Sequence, residues 1–499
     1  MKRTLISALA LAAASSAHAQ DAELPQASSQ WFTDGQAAVE AMLARQPNTN
    51  TAKNIIVLVA DGNGVGTNYI TRLFDGQQKG MLGEENVLPY ETPDWSTALI
   101  KTYNINAQTP DSAPTAGAMN TGVKQRFNLI NLGGDAVHDE CATVAGKKLT
   151  TFAEIVTDMG KSVGAVSTAR LTHATPAAVY AKTANRNWEG AVPEGCDTQT
   201  DIATQLIDSM EAGIVDFAMG GGGRFFLPEG ETNGQSKGRR TDGVNLIERA
   251  QGLGVQFAND TASFDALTTD APVLALFNDS HMEYEADRAD DDEPSLADMT
   301  RKAIEFLSQN DEGYYLEIEA GRVDHANHDG NAARVVRDGV AFAEAVALAD
   351  ELTDDSETLI IVTADHEHSL ALNGYCGRGS DILGLCYDVA QTGDKHSDEL
   401  VLGSDGKPFT VVGYLNGAGS VLVEQPDGSF AAPEGRADIT QEEATDLDYV
   451  QQALIPKSSE SHSGEDVAVY AKGPWAHLFD STLEQNVIFH VMNHAITAE

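Results

Sequence analysis

Ile55-Ile56-Val57-Leu58-Val59 places five aliphatic residues in a row, and Ala60-Asp61-Gly62 then stops the run on an acid and a glycine. A short continuous run rich in β-branched residues predicts a strand buried on both faces, because a strand with one wet face would alternate. The same signature recurs at Val163–Val166, Val215–Met219, Val273–Phe277, Tyr315–Ile318, Leu359–Val362 and Asp466–Ala471. Between these runs, Leu296–Leu307 and Ala332–Leu348 carry helical periodicity. Strands alternating with helices imply an α/β fold with a central, mostly parallel sheet flanked by helices.

In such sheets ligands gather beyond the carboxyl ends of the strands, so the residues that follow each run matter. Asp61 follows the first; Arg170, His173 and Thr175 follow Val166; Glu319, Asp324 and His328 follow Ile318; Asp365 and His366 follow Val362. A lone Asp at a strand end is ordinarily a cap or turn residue. Four strand ends that deliver mutually compatible ligands are not explained by caps.

Asp324 and His328 are four residues apart, so one helical turn puts both on one face. Asp365 and His366 are adjacent, and His462 lies just before the last strand. An Asp/His set without thiolate suits catalytic rather than structural zinc. Glu319 with Thr175 offers only oxygen and suits a hard ion such as Mg²⁺. Asp111-Ser112-Ala113-Pro114-Thr115-Ala116 reads as a turn into a helix, whose N-terminus can seat an anion. Taken alone, Asp111 and Ser112 are N-cap residues. Metals nearby would offer a way to activate Ser112 without a histidine base.

The remaining features bound the function. The chain has 499 residues, 32 Lys+Arg against 75 Asp+Glu, and a formal net charge of −43. That charge argues against nucleic acid or an anionic membrane as partner, but not against a small anion held by a local metal cluster. Lys2 and Arg3, the apolar run Leu5–Ala14 and Ala17-His18-Ala19 form the pattern of a signal peptide over residues 1–19, so export to the periplasm or beyond is expected. No later run approaches the ~18 apolar residues of a membrane span. Export permits disulfides. Of the three pairings open to Cys141, Cys196, Cys376 and Cys386, the local pair Cys376–Cys386 closes a Gly-rich loop and leaves Cys141–Cys196. None has CxxC spacing. The acidity further predicts self-repulsion relieved by salt, as in a protein from a saline environment.

Ala60-Asp61-Gly62, Asp111-Ser112-Ala113-x-Thr115-Ala116, Arg170-x-x-His173-Ala174-Thr175-Pro176, Glu319-x-Gly321-Arg322-x-Asp324-His325-x-x-His328, Thr363-Ala364-Asp365-His366 and His462-x-Gly464-Glu465-Asp466 together resemble the alkaline phosphatase family, in family order from near residue 50 to the C-terminus. Arg186-Asn187-Trp188, Met219-Gly220-Gly221-Gly222 and Gly473-Pro474-x-Ala476-His477 add to the likeness, which is closer to the animal-type branch. The resemblance implies a metal-dependent phosphomonoesterase working through a phosphoserine on Ser112. It implies one zinc on Asp324, His328 and His462, and a second on Asp61, Asp365 and His366. A magnesium would sit on Asp61, Thr175 and Glu319. Arg170 would grip phosphate, oriented by Asp111, with His173 and His325 orienting metal-bound groups. Three divalent ions against four carboxylates would leave the pocket at about +2 inside an acidic protein.

The resemblance also implies a homodimer and one catalytic domain over residues 20–499, with a crown-like insertion near 374–460. A family calcium site is matched imperfectly by Asn278 and Glu293, which leaves calcium open. A phosphodiesterase or sulfatase of the same superfamily is the alternative; a sulfatase's C/S-x-P-x-R pattern is absent, because the run here lacks the Arg. A non-catalytic exported phosphate- or metal-binding protein would not need Ser112 beside Asp111.

Overall fold

The computed structural model describes residues 24–498 apart from Asp291 and Pro433. The expected signal peptide and its cleavage point lie outside the described residues. The described residues divide into two compact units, one up to Pro47 and one from Asn48 onward. In the first, Gln30–Ala44 is a helix with no buried residue.

The second unit is built on a ten-stranded sheet. Its strands are, in chain order, β1 Asn54–Ala60, β2 Ser96–Lys101, β3 Ser162–Arg170, β4 Phe217–Gly221, β5 Gln256–Ala258, β6 Val273–Leu276, β7 Tyr314–Ala320, β8 Thr358–Thr363, β9 Val467–Lys472 and β10 Thr482–Glu484. They lie side by side in the order β10-β2-β9-β8-β1-β7-β3-β4-β6-β5. Only β9 runs against its neighbours, antiparallel to both β2 and β8. The mostly parallel sheet read from the sequence is therefore observed, with one reversed strand.

Every residue of β1, β7 and β8 is buried. The alternation of side chains then feeds two cores. Ile55, Val57 and Val59 pack into one, with Phe152, Ala165 and Tyr315. Ile56, Leu58 and Ala60 pack into the other, with Leu316, Ile318 and Val362. At roughly 1.5–3 kcal/mol per fully buried aliphatic side chain, β1 anchors the domain, and its register fixes the site. Val59 is level with Glu319 on one side and with Thr363 on the other. Asp61 and Asp365 therefore leave the sheet at one height, two residues beyond the level of Glu319.

The fourth strand begins at Phe217, two residues later than the apolar run suggested, because the Asp216 carboxylate turns to accept from the Val163 amide at 3.0 Å. Within 374–460 strand is sparse: Val412–Gly417 pairs with Leu370–Leu372 and Ala453–Pro456, and Val423–Glu424 with Phe430–Ala431. Phe409–Val411 precede the strand rather than form it; the Thr410 hydroxyl is spent on the Val412 carbonyl, at 2.6 Å. Cys141–Cys196 and Cys376–Cys386 are both bonded.

Candidate active site

The helix Ser112–Thr121 begins at an extended Asp111, whose side chain accepts from the Ala113 amide, and ends at Gly122 with φ +72°. All ten of its residues are buried. Small side chains make that fit possible: a Cβ on Gly117 would fall 2.4 Å from the Gln125 amide. The helix thus presents Ser112 at its N-terminus against the end of β1.

Ser112 Oγ lies 3.2 Å from His366 Nε2 and 3.4 Å from Asp61 Oδ1. His366 Nε2 is in turn 3.1 Å from Asp61 Oδ1 and 3.4 Å from Asp365 Oδ2. Asp61, Asp365 and His366 are all buried, and their ligand atoms converge on one point. The Gly62 amide and the Thr115 hydroxyl hold the Asp365 carboxylate, at 3.0 and 3.2 Å.

A second convergence lies alongside. Asp324 and His328 come from one helix, Arg322–His328. Asp324 Oδ1 is 3.3 Å from His328 Nε2 and 3.2 Å from His462 Nε2. His328 Nδ1 donates to the Glu460 carbonyl at 2.7 Å, and His462 Nδ1 to the Pro110 carbonyl at 3.0 Å. A carbonyl only accepts, so both rings carry their proton on Nδ1 and turn a bare Nε2 inward. Those two lone pairs stand 3.1 Å apart beside a carboxylate. The two bare Nε2 atoms have no proton to share between them, and a cation is what such a pair beside a carboxylate fits.

The third cluster is Asp61, Glu319 and His173. Glu319 accepts from the Ser167 hydroxyl, while its Oε1 and Asp61 Oδ2 are buried with no hydrogen-bond partner. Thr175 is fully buried at the start of the short helix Ala174–Ala177. His173, expected behind the ligands, stands among them.

The electrostatics agree. Burial, with the charges of Asp324 and Glu319, pushes Asp61 well above the usual carboxylate range. Burial likewise raises Glu319 to about 8, and burial with the Asp61 charge raises Asp365 to about 6. Burial lowers His328, His366 and His462, keeping them neutral. Asp324 goes the other way: against burial, the imidazoles of His328, His368 and His462 hold it well below the ordinary value. Crowded carboxylates and deprotonated imidazoles fit divalent metals, which relieve the first and bind the second.

The arginine differs from expectation. Asp111 does not meet Arg170; its carboxylate accepts from Arg186, whose other guanidinium nitrogen is 2.8 Å from His173 Nε2. Arg170 is bidentate on Glu189, at 2.7 and 2.8 Å, and touches His281. Two causes are visible. β3 shifts register between Val166 and Arg170, and the buried Glu189 carboxylate requires a counter-charge.

His325 does stand near His173, with ring centroids 5.4 Å apart, and His281 completes a triangle with them, 3.9 Å from His325 and 5.2 Å from His173. Burial pushes His325 down to about 3. His281, His368, Glu189 and Glu460 were not singled out in the sequence. His368 alternates with His366 on either side of Glu367, a spacing that could have flagged it. Arg186 lay within a recognised motif without a role. Asn278 and Glu293, the loose calcium pair, meet each other: the Asn278 amide donates to Glu293 Oε1 at 2.7 Å and the Glu283 backbone to Oε2 at 2.8 Å. Both carboxylate oxygens are already engaged by N–H groups.

Comparison with known proteins settles the family. The alkaline phosphatase family model matches residues 52–498. The chain belongs to the alkaline phosphatase family. It stands thereby among the metal-dependent phosphomonoesterases. An alkaline phosphatase of Gadus morhua is 36% identical over 93% of this chain and 96% of its own length. The tissue-nonspecific isozyme of Homo sapiens is 35% identical over 93% of this chain and 88% of its own. The alkaline phosphatase structure from Thermus thermophilus, at 23% identity, shares the fold with a TM-score of 0.64, covering 92% of this chain and 94% of that one. This alkaline phosphatase thus joins a vertebrate-like sequence to the family's sheet.

Proposed function

We propose that this alkaline phosphatase hydrolyses phosphate monoesters through a phosphoserine on Ser112, with two zinc ions and one magnesium. One zinc is assigned to Asp324, His328 and His462, the other to Asp61, Asp365 and His366, and magnesium to Asp61, Thr175 and Glu319. The observation that carries this reading is the meeting of the two bare Nε2 atoms of His328 and His462 at 3.1 Å beside Asp324. Bound there, divalent cations would supply positive charge that lowers the pKa of a hydroxyl or water and stabilises developing negative charge.

The protein's own groups then have defined tasks. Asp111 fixes the Arg186 guanidinium, whose planar fork suits two phosphate oxygens; Arg186 thus takes the task first given to Arg170. Ser112 Oγ, its proton lost to solvent, attacks phosphorus in line with the ester oxygen. The ester P–O bond breaks and the alcohol leaves with a proton from solvent. Water then attacks the phosphoserine, the P–Oγ bond breaks, and Ser112 regains a proton as inorganic phosphate departs.

Export fits the two disulfides, and among the described residues no helix is long and apolar enough to cross a membrane. A homodimer is supported by apolar side chains left exposed around the crown-like region, among them Leu372, Leu415, Leu454 and Ile455. The decisive experiment is metal analysis of purified protein beside a phosphomonoester assay with and without chelator. About two zinc and one magnesium per chain, with activity lost on chelation and restored by both ions, is the expected result. Full turnover after exhaustive chelation would overturn the reading.

A further inference from the structure

Glu460 precedes the ligand His462 by two residues, and its side chain is fully buried. A carboxylate buried this deeply needs hydrogen-bond donors at both oxygens. Three donors meet it. Oε1 accepts from the Ser369 amide and the Ser369 hydroxyl, both at 2.6 Å, and Oε2 lies 2.6 Å from His368 Nδ1. Glu460 stands with His328 and His368 in a group able to hold a cation, but what faces its Oε2 from His328 is Nδ1, at 3.9 Å, the nitrogen already committed to the Glu460 carbonyl.

Its backbone is equally committed. The Glu460 carbonyl takes the His328 Nδ1 proton at 2.7 Å, and the Glu460 amide donates to the His328 carbonyl at 2.9 Å. His368, held by the carboxylate, brings its Nε2 to 2.9 Å from Asp324 Oδ1. His368 also pairs across a two-residue ladder with His462. One residue therefore touches the placement of all three groups assigned to one zinc: His328 through a carbonyl, Asp324 through the His368 ring, and His462 through the ladder.

We propose that Glu460 is a positioning residue that sets the geometry, and hence the affinity, of the Asp324–His328–His462 zinc site. The inference rests on the metal assignment above. Outer groups that orient metal ligands typically contribute 10- to 100-fold in metal affinity. The test uses zinc-loaded full-length protein and a graded chelator, with bound zinc as readout. Glu460→Ala is expected to lose one zinc per chain at roughly 10- to 100-fold lower chelator, while the second zinc follows the wild-type curve. Glu460→Gln, which keeps the shape and can hydrogen-bond both His368 and Ser369, is expected to restore release to within a few-fold of wild type.

A general loss of stability would lower both zinc curves together, and that outcome overturns the proposal. So does a folded Glu460→Ala whose first zinc leaves within twofold of wild type, or a Glu460→Gln that behaves like Ala. If Glu460→Ala fails to fold, Glu460→Asp carries the test: its carboxylate is one methylene short of His368, so early loss of a single zinc is again expected and an unchanged curve overturns the claim. Wild-type protein that holds no tight zinc would instead refute the metal assignment.

Discussion

The Asp111 carboxylate meets the guanidinium of Arg186, and the residue beside it in the chain is Ser112. One acid thus caps the serine helix and orients an arginine toward the same N-terminus. Arg186→Ala is expected to lower kcat/KM by roughly 30- to 1,000-fold, as expected for a donor aimed at transition-state charge. It also strands the Asp111 carboxylate, as Arg170→Ala strands that of Glu189, and both acids are mostly buried. Each variant should therefore lose on the order of 3 kcal/mol of stability, but only Arg186→Ala should lose the rate where both are folded. Steady-state kinetics and thermal melts on the two variants separate the roles; a larger rate loss for Arg170→Ala would return the phosphate grip to that residue.

Ser112→Ala removes one oxygen from a buried contact with Asp61 and His366. The expected result is loss of phosphoenzyme on rapid acid quench, a fall in kcat of about 10³-fold or more, and unchanged bound metal. Near-normal turnover would remove Ser112 from the chemistry.

Much of this was legible in the chain because strand ends and ligands coincide. Asp61, Glu319, Asp365 and His366 each follow a run whose burial the sequence declares, and a parallel sheet must bring such ends to one edge. Asp324 and His328 were readable from spacing alone. Arg186 was not, because it leaves no strand. It reaches the site through the loop Lys182–Trp188, where nothing in local pattern ranks it above Arg170. Glu460 and His368 were hidden for a different reason. Their task is to hold ligands, and a buried acid in a Ser-rich stretch resembles a solvated loop until its partners are placed.

Glu317, two residues before Glu319, offers a test on an acid that is not itself assigned to a metal. It lies on β7, buried between Tyr315 and the Ser112 helix, accepting from Tyr315 Oη at 2.9 Å and Asn120 Nδ2 at 2.8 Å, with Oε1 unpartnered. Burial pushes its carboxyl from 4.5 up to about 7. The folded state therefore holds a proton that the unfolded state has released, so this group's stabilisation is lost as pH rises from about 4.5 to about 7. Glu317→Gln cannot ionise. Relative to wild type it should gain up to about 3 kcal/mol at pH 9 and under about 1 kcal/mol at pH 5, as read by denaturant unfolding. An equal effect at both values would show that Glu317 does not titrate in this range.

Chelation should expose the repulsion among the ligands. Without ions, the imidazoles held neutral subtract stability below their ordinary value of 6.5, where the unfolded chain would protonate them, and they drop out above it. What then remains is Glu319, protonated in the folded state to about 8, and His368, which despite burial is held protonated to about 10 by Asp324 and Glu460. Both bind more protons folded than unfolded, so metal-free stability must fall as pH climbs from 6.5 to 8. The measurement is the melting temperature across that window with chelator and with zinc plus magnesium. The gap between the two curves should widen with pH, since metal also competes better with fewer protons. A constant gap would count against the clustered carboxylates as the origin of metal binding.

The acidic surface makes the last prediction. With a net charge of −43, repulsion acts across the whole domain and is relieved as the Debye length falls from about 10 Å at 0.1 M salt to about 3 Å at 1 M. Melting temperature should therefore rise with NaCl in metal-replete protein. The shape of the rise identifies its cause. Screening follows the square root of ionic strength and delivers most of its effect at low salt, whereas salt exclusion from apolar surface grows steadily with concentration. A steep gain below about 0.3 M that then flattens is what charge relief predicts. A flat profile, or one that climbs linearly to molar salt, would mean that the acidic residues serve solubility rather than stability in brine.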